Sequence, residues 1–153
     1  MIRPAHPLDI PRLLNLAECY HEEIVRANHF IPDWDAEIAS ANMMNTMSSD
    51  TGLSIVTVQD GKVVGFLWAV ACYPVPWSTH TAADCWMFYV HPDYRGALHA
   101  FRLMRAYKVW AEVMECREVR ISTASGLDTE RVEAMFSKLG YKPLGTTYHQ
   151  LIT

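Results

Sequence analysis

The segment from Asp84 to Ala100, Asp-Cys-Trp-Met-Phe-Tyr-Val-His-Pro-Asp-Tyr-Arg-Gly-Ala-Leu-His-Ala, does most to limit the folds open to this chain. Asp84 to Val90 is a short apolar run closed by His91-Pro92-Asp93, which predicts a strand. From about Ala97 to Glu115, Ala100, Leu103, Met104, Tyr107, Trp110, Ala111 and Met114 recur at helical spacing. Arg102, Arg105, Lys108 and Glu112 fall on the other face, so this reads as the longest helix of the chain. Val119 to Thr123 is short and β-branched, and predicts the next strand. A strand, a helix and a strand in that order imply parallel pairing of the two strands.

Upstream the period is different. Leu53 to Val58 and Val63 to Cys72 flank Asp60-Gly61, the signature of an antiparallel hairpin with a tight turn. Tyr73-Pro-Val-Pro-Trp77 cannot sit in a central strand and is expected to be loop. Residues 2–4 suit a short opening strand, and Asp9 can cap a helix to about Arg26 with Ile10, Leu13, Leu14, Ala17 and Ile24 along one face. A second helix starts at Asp33 or Asp35, with Trp34, Ile38, Ala41 and Met44 at helical spacing. A final helix has Asp128 as N-cap, Leu127 opposite Val132 as a hydrophobic staple, and Gly140 as its stop. It buries Val132, Met135, Phe136 and Leu139. The tail from Tyr141 to Ile152 reads as strand, broken at Gly145. With no repeat or linker, residues 1–153 are expected to form one α/β domain. It would have a mixed, mostly antiparallel sheet of six or seven strands flanked by about four helices.

Half of the residues are apolar and a fifth are charged, enough for a real core. The net charge is −4 and no basic run occurs, which argues against nucleic acid as a partner. No apolar stretch approaches the ~18 residues of a membrane span, and Met-Ile-Arg-Pro-Ala-His-Pro has no signal-peptide core. The four cysteines show no CxxC and no histidine at zinc-ligand spacing, so they are expected to be reduced thiols of a cytoplasmic protein, with no metal.

At the junction of the strand and the long helix the chemistry points to an anion. The first turn of a helix leaves backbone N–H groups without partners and carries partial positive charge. Gly96 lets the backbone approach a ligand, Ala97 and Ala100 are small, and Arg95 offers a forked donor. On local features alone a second reading stands beside it, in which Arg95 is a solvated turn residue and Gly96 merely relieves the turn.

Four segments together resemble the GNAT acyltransferase superfamily. Val90-His-Pro-Asp-Tyr-Arg95-Gly96 is similar to the family's strand running into its coenzyme A pyrophosphate loop. Met135-Phe-Ser-Lys-Leu-Gly140-Tyr-Lys-Pro is similar to its second hallmark. Ile2-Arg3-Pro4-Ala5 with Asp9-Ile10, and Asp60-Gly61-Lys62-Val63-Val64-Gly65-Phe66, look like its opening and its hairpin. The resemblance implies an acetyl-CoA-dependent N-acetyltransferase acting on a primary amine of a small molecule or protein. The alternative is a catalytically impaired relative that binds acyl-CoA or a protein partner. It places coenzyme A at Arg95, Gly96, Ala97, Leu98, His99 and Ala100, with Phe88 and Val90 along the pantetheine arm and Thr129 at the last helix. Leu98 departs from the family's usual glycine. Asp84 is implied as the base. The family's frequent tyrosine acid is Phe136 here, so either another hydroxyl (Tyr89, Tyr141 or Tyr107) substitutes, or the thiolate leaves from solvent, or the chain does not catalyse; Tyr89 is taken as the catalytic hydroxyl. Glu22, Glu23 and His29 would wall the acceptor site, with Trp77 and His80 in a loop nearby. The edge left by the short tail after Gly140 could be covered by a second copy, giving a homodimer.

Overall fold

Side-chain alternation along three long strands organises the molecule. The computed structural model describes residues 1–27, 31–123 and 125–152. In chain order the elements are β1 (Ile2–Pro4), α1 (Ile10–Arg26), α2 (Ala36–Ser48), β2 (Gly52–Gln59) and β3 (Lys62–Cys72). They continue with β4 (Ala82–Val90), α3 (His99–Val113), β5 (Glu118–Arg120) and α4 (Thr129–Lys138). The sheet runs β1-β2-β3-β4-β5, antiparallel throughout except for the parallel β4–β5 edge. Asp60 and Gly61 both take positive φ, 50° and 75°, the pair of left-handed residues that the two-residue hairpin turn requires.

Alternate side chains of the strands feed two separate cores, with the parity switched where the register shifts. Ile55, Leu67, Ala69, Ala83 and Val90 face Leu103, Met104, Tyr107 and Ala111 of α3 and Phe136 of α4. Val56, Val63, Phe66 and Tyr89 face Leu13, Leu16 and Ala17 of α1 and Met43 of α2. Helices thus cover both faces, and neighbouring residues of β4 look into opposite layers. No helix among the described residues is long and apolar enough to cross a membrane.

The sheet has five strands among the described residues, where six or seven were expected. The tail after Gly140 makes no ladder there, and Leu144, Tyr148, Leu151 and Ile152 are exposed. Alternating apolar residues form a strand only where a neighbour supplies the ladder bonds. The start of α3 is two residues later than its periodicity suggested, because Ala97 and Leu98 belong to the turn after Gly96. Asp9 does not cap α1 with its side chain. Its carboxylate instead accepts from Arg3 Nη1 at 2.7 Å and from the His6 amide at 2.8 Å, fastening β1 to the start of the helix. Asp128 stands before α4 in a left-handed conformation, φ 47°, and likewise makes no side-chain cap.

Candidate active site

A register slip opens the site. Trp68 pairs with Met87 but Ala69 pairs with Cys85, so Trp86 is an extra residue on β4. Such a bulge bends its strand and sharpens the twist. On the other side β4 pairs with β5 only over Ala82–Asp84. Beyond that point the two segments part, and Phe88 and Val90 face Ile121 and Thr123 across a cavity of about 590 Å³. That is within the usual size of small-molecule sites. No strand pairs with the Cys85–Val90 edge on the cavity side among the described residues, so its backbone is presented to whatever lies in the cleft.

One end of the cavity is closed by the turn that follows Val90. Gly96 has φ +88°, a conformation that disfavours any side chain, and it lines the cavity with Ala97 and Ala100. The first-turn amides of α3 lie just beyond, with the positive end of its dipole. Leu98 is 59% exposed and is not among the residues lining the cavity, so its departure from glycine leaves the cradle open.

Beside the cradle, Arg95, Tyr89 and Glu23 form a bracket between β4 and α1. Arg95 Nε donates to the Val90 carbonyl at 2.8 Å, and Nη2 donates to Glu23 Oε1 at 2.9 Å. The guanidinium carbon stands 5.2 Å from the centre of the Tyr89 ring. The Tyr89 hydroxyl donates to the same Glu23 oxygen at 2.6 Å. Burial, then the bond to Glu23, pushes the Tyr89 pKa well above that of a free phenol.

Residues 11–141 match the model of the Acetyltransferase (GNAT) family. The chain belongs to the GNAT acetyltransferase family. The fold recurs in solved structures of low sequence identity. An aminoglycoside antibiotic 6'-N-acetyltransferase from Acinetobacter haemolyticus is 18% identical with a TM-score of 0.74, over 100% of this chain and 98% of that one. Another from Acinetobacter baumannii is 18% identical with a TM-score of 0.73, over 100% and 97%. The enzyme AAC(6')-Iy, solved with a bisubstrate analog of coenzyme A and acetylneamine, is 17% identical with a TM-score of 0.79, over 100% and 97%. A comparison with curated proteins finds no match.

Set on the GNAT frame, the expected site residues divide into groups. Phe88, Tyr89, Val90, Arg95, Gly96, Ala97 and Ala100 line the cavity. His99 does not. Its ring is buried toward β2, with Nδ1 2.7 Å from Thr57 Oγ1 and Nε2 2.8 Å from Gln59 Oε1. As the first residue of α3 it faces the sheet, and it ties the helix start to β2. Thr129 begins α4 outside the cavity lining. Glu22 points to solvent and pairs with Arg26 at 3.5 Å. His29 lies outside the described residues. Asp84 sits on β4 opposite Val70 and Arg120, on the face that alternation shares with Tyr89 but roughly 15 Å along the strand at its usual rise. It too lies outside the cavity lining.

Of the hydroxyls expected to replace a tyrosine at Phe136, Tyr107 is fully buried and donates to the Arg120 carbonyl at 2.8 Å, a structural role. The proton of Tyr89 is directed to Glu23. The Tyr141 ring lies tilted with its centre 5.7 Å from that of Phe136, its buried hydroxyl has no hydrogen-bond partner, and burial pushes its pKa up to about 12. Among the lining residues that the sequence did not point to are Tyr20 on α1, residues 121–123, and Arg131 with Lys138 on α4. Arg131, Met135 and Lys138 have helical spacing, so their common face was legible; that the face borders a cleft was not. The exposed Trp77 and His80 lie outside the lining.

His99 carries a pH signature. Burial, then the charged N-terminus and Arg102, hold its pKa below the ordinary 6.5. A depressed histidine pKa means that the unfolded chain binds the proton more readily. Stability is therefore full above about pH 6.5 and falls as pH drops toward the folded value. His99→Gln, which keeps polar reach without the charge, is expected to flatten the fall in urea midpoint between pH 7 and 5. An unaltered slope would assign that fall to other groups.

Proposed function

We propose that this chain transfers the acetyl group of acetyl-CoA to a primary amine, and that the acceptor is a small cationic molecule. The observation that carries the reading is the parting of β4 from β5 after Asp84, which opens a cavity ending on the Gly96 turn and the start of α3. The fit to coenzyme A can be judged from the residues present. Gly96 gives the close backbone approach that a diphosphate needs, and the first-turn amides of α3 provide donors. The unpaired edge around Phe88 and Val90 suits an extended amide chain, and the apolar walls of Ile121 and Met135 suit its methylenes. Acetyl-CoA would supply an activated acyl group; the rest falls to the side chains.

An amine must be neutral to attack. At an unperturbed lysine pKa near 10.4, roughly one in 2500 is neutral at pH 7, so a base is valuable. Asp84, on the Tyr89 face of β4, is the proposed base; at roughly 15 Å along the strand from Tyr89 it would take the proton through a chain of several waters. On the α1 side Tyr20 and Tyr89 give the acceptor an aromatic floor, while the charge of Glu23 behind them is matched by Arg95. The structural relatives that are aminoglycoside acetyltransferases support a polycationic acceptor. The direct test is thiol release from acetyl-CoA across an amine panel that includes aminoglycosides and polyamines. Turnover with at least one amine is expected, and Asp84→Asn should lower kcat by about 10²-fold with little change in acetyl-CoA affinity. An Asp84→Asn enzyme of wild-type kcat would remove Asp84 from the chemistry.

One observation favours a second reading. Phe136 lines the cavity and has no proton to give, while Tyr89 gives its own to Glu23. A chain that binds acetyl-CoA tightly but releases no thiol with any amine would be a binding member of the family.

A further inference from the structure

Arg95 is the residue that its motif nominates to grip a phosphate, but two of its five N–H donors are committed and fix the direction of the guanidinium. Nε holds the Val90 carbonyl, Nη2 holds Glu23, and the guanidinium lies over Tyr89. Turning it outward would break both bonds and leave the Glu23 carboxylate, which is largely buried, with one partner fewer. Such a loss costs more than an exposed pair would. Arg95 is thus built into the wall that joins α1 to β4.

A second arginine stands at the same turn with its donors uncommitted. Arg131, in the first turns of α4, lines the cavity from the opposite wall. A Cβ placed on Gly96 would find the Arg131 Nη2 at 3.7 Å and no other atom within 4 Å. Among the described residues the one ion pair of Arg131 is to Asp128, from Nη1 at 3.8 Å, longer than a hydrogen bond and between exposed side chains. Its Nη2 edge therefore overhangs the glycine that opens the cradle. The α3 amides meet an anion from one side of the cleft, and a guanidinium on α4 meets it from the other.

We propose that Arg131, and not Arg95, supplies the charged grip on the phosphates of the acyl donor, and so selects phosphate-bearing thioesters over bare pantetheine thioesters. This rests on the acetyl-CoA reading above and assigns a residue within it. A guanidinium binds a phosphate through two parallel N–H···O bonds, which a lysine cannot match in geometry.

The test is calorimetric titration of the full chain with two probes, acetyl-CoA and S-acetylpantetheine. Arg131→Ala is expected to weaken acetyl-CoA by at least about tenfold, the loss typical of a charge-assisted bond. It should leave S-acetylpantetheine unchanged and reduce the salt dependence of acetyl-CoA binding. Arg131→Lys should recover part of the loss. Because the side chain is exposed, the thermal midpoint should stay at the wild-type value. An unchanged acetyl-CoA affinity in Arg131→Ala would overturn the assignment. Equal losses for both probes would also overturn it, since they would mark a structural role. Failure of the wild-type chain to bind acetyl-CoA at all would instead overturn the function on which the assignment stands.

Discussion

Gly65→Val should yield little folded protein. A Cβ placed on Gly65 would lie 2.7 Å from the Tyr89 carbonyl oxygen and 3.0 Å from Cγ2 of both Thr57 and Val90. The first contact is with backbone, which no rotamer change can move. Gly65 pairs with Thr57 on one side and Val90 on the other, so any side chain must pry β3 from both neighbours. Overpacking of a tight interior costs roughly 1–3 kcal/mol, and a branched side chain against backbone should reach or exceed the top of that range. A domain of this size has only about 5–15 kcal/mol in hand. Gly65→Ala is the readable version. It should fold with a lowered urea midpoint and bind acetyl-CoA more weakly, because the displaced Tyr89 and Val90 belong to the cleft edge. A Gly65→Val chain with the wild-type midpoint would refute the close approach.

Tyr107→Ala should be nearly as damaging, by the opposite route. Tyr107 is fully buried under β4 and β5, stacked 6.3 Å from Trp110. Emptying a buried aromatic site costs roughly 3–5 kcal/mol. The Arg120 carbonyl would lose its donor as well, at the residue where β5 ends and the cleft begins. Tyr107→Phe separates the two terms, since it keeps the ring and forfeits only the hydrogen bond, about 1 kcal/mol. Urea denaturation of the pair measures both. A Tyr107→Ala loss no larger than that of Tyr107→Phe would mean that the site collapses around the missing ring. Acetyl-CoA affinity should follow stability in Tyr107→Ala, because the mouth of the cleft is set by where β5 stops.

Much of this protein was written locally. The Asp60-Gly61 turn needs two left-handed residues, and aspartate followed by glycine is a pair that accepts them, so the hairpin could be read from two letters. The long helix could be read from its apolar stripe, and Gly96 from the need for a turn between β4 and that helix. The order of strands and helices limited the sheet to a mixed one, since an α3-type crossover forces the β4–β5 edge to be parallel. These features depend on neighbours in sequence, and so the sequence displays them.

The direction of particular side chains was decided elsewhere. His99 looked like part of the phosphate loop and turned toward Thr57, because the first residue of α3 lands on the sheet side once Ala97 and Leu98 are taken up by the turn. Arg95 looked free and was claimed by Glu23, a residue 72 positions away on α1. Arg131, to which the sequence alone gives no role, came to rest beside Gly96. The bulge at Trp86 leaves no mark in composition, because it records a mismatch between two strands. Outside the tail after Gly140, which reads as strand but finds no neighbour to pair with, sequence alone determined most of the strands, helices and turns, since those choices follow from backbone preferences and the period of apolar residues. Which charges meet across the cleft was fixed only when separate segments packed, because a long side chain takes its partner from whatever the fold brings within reach.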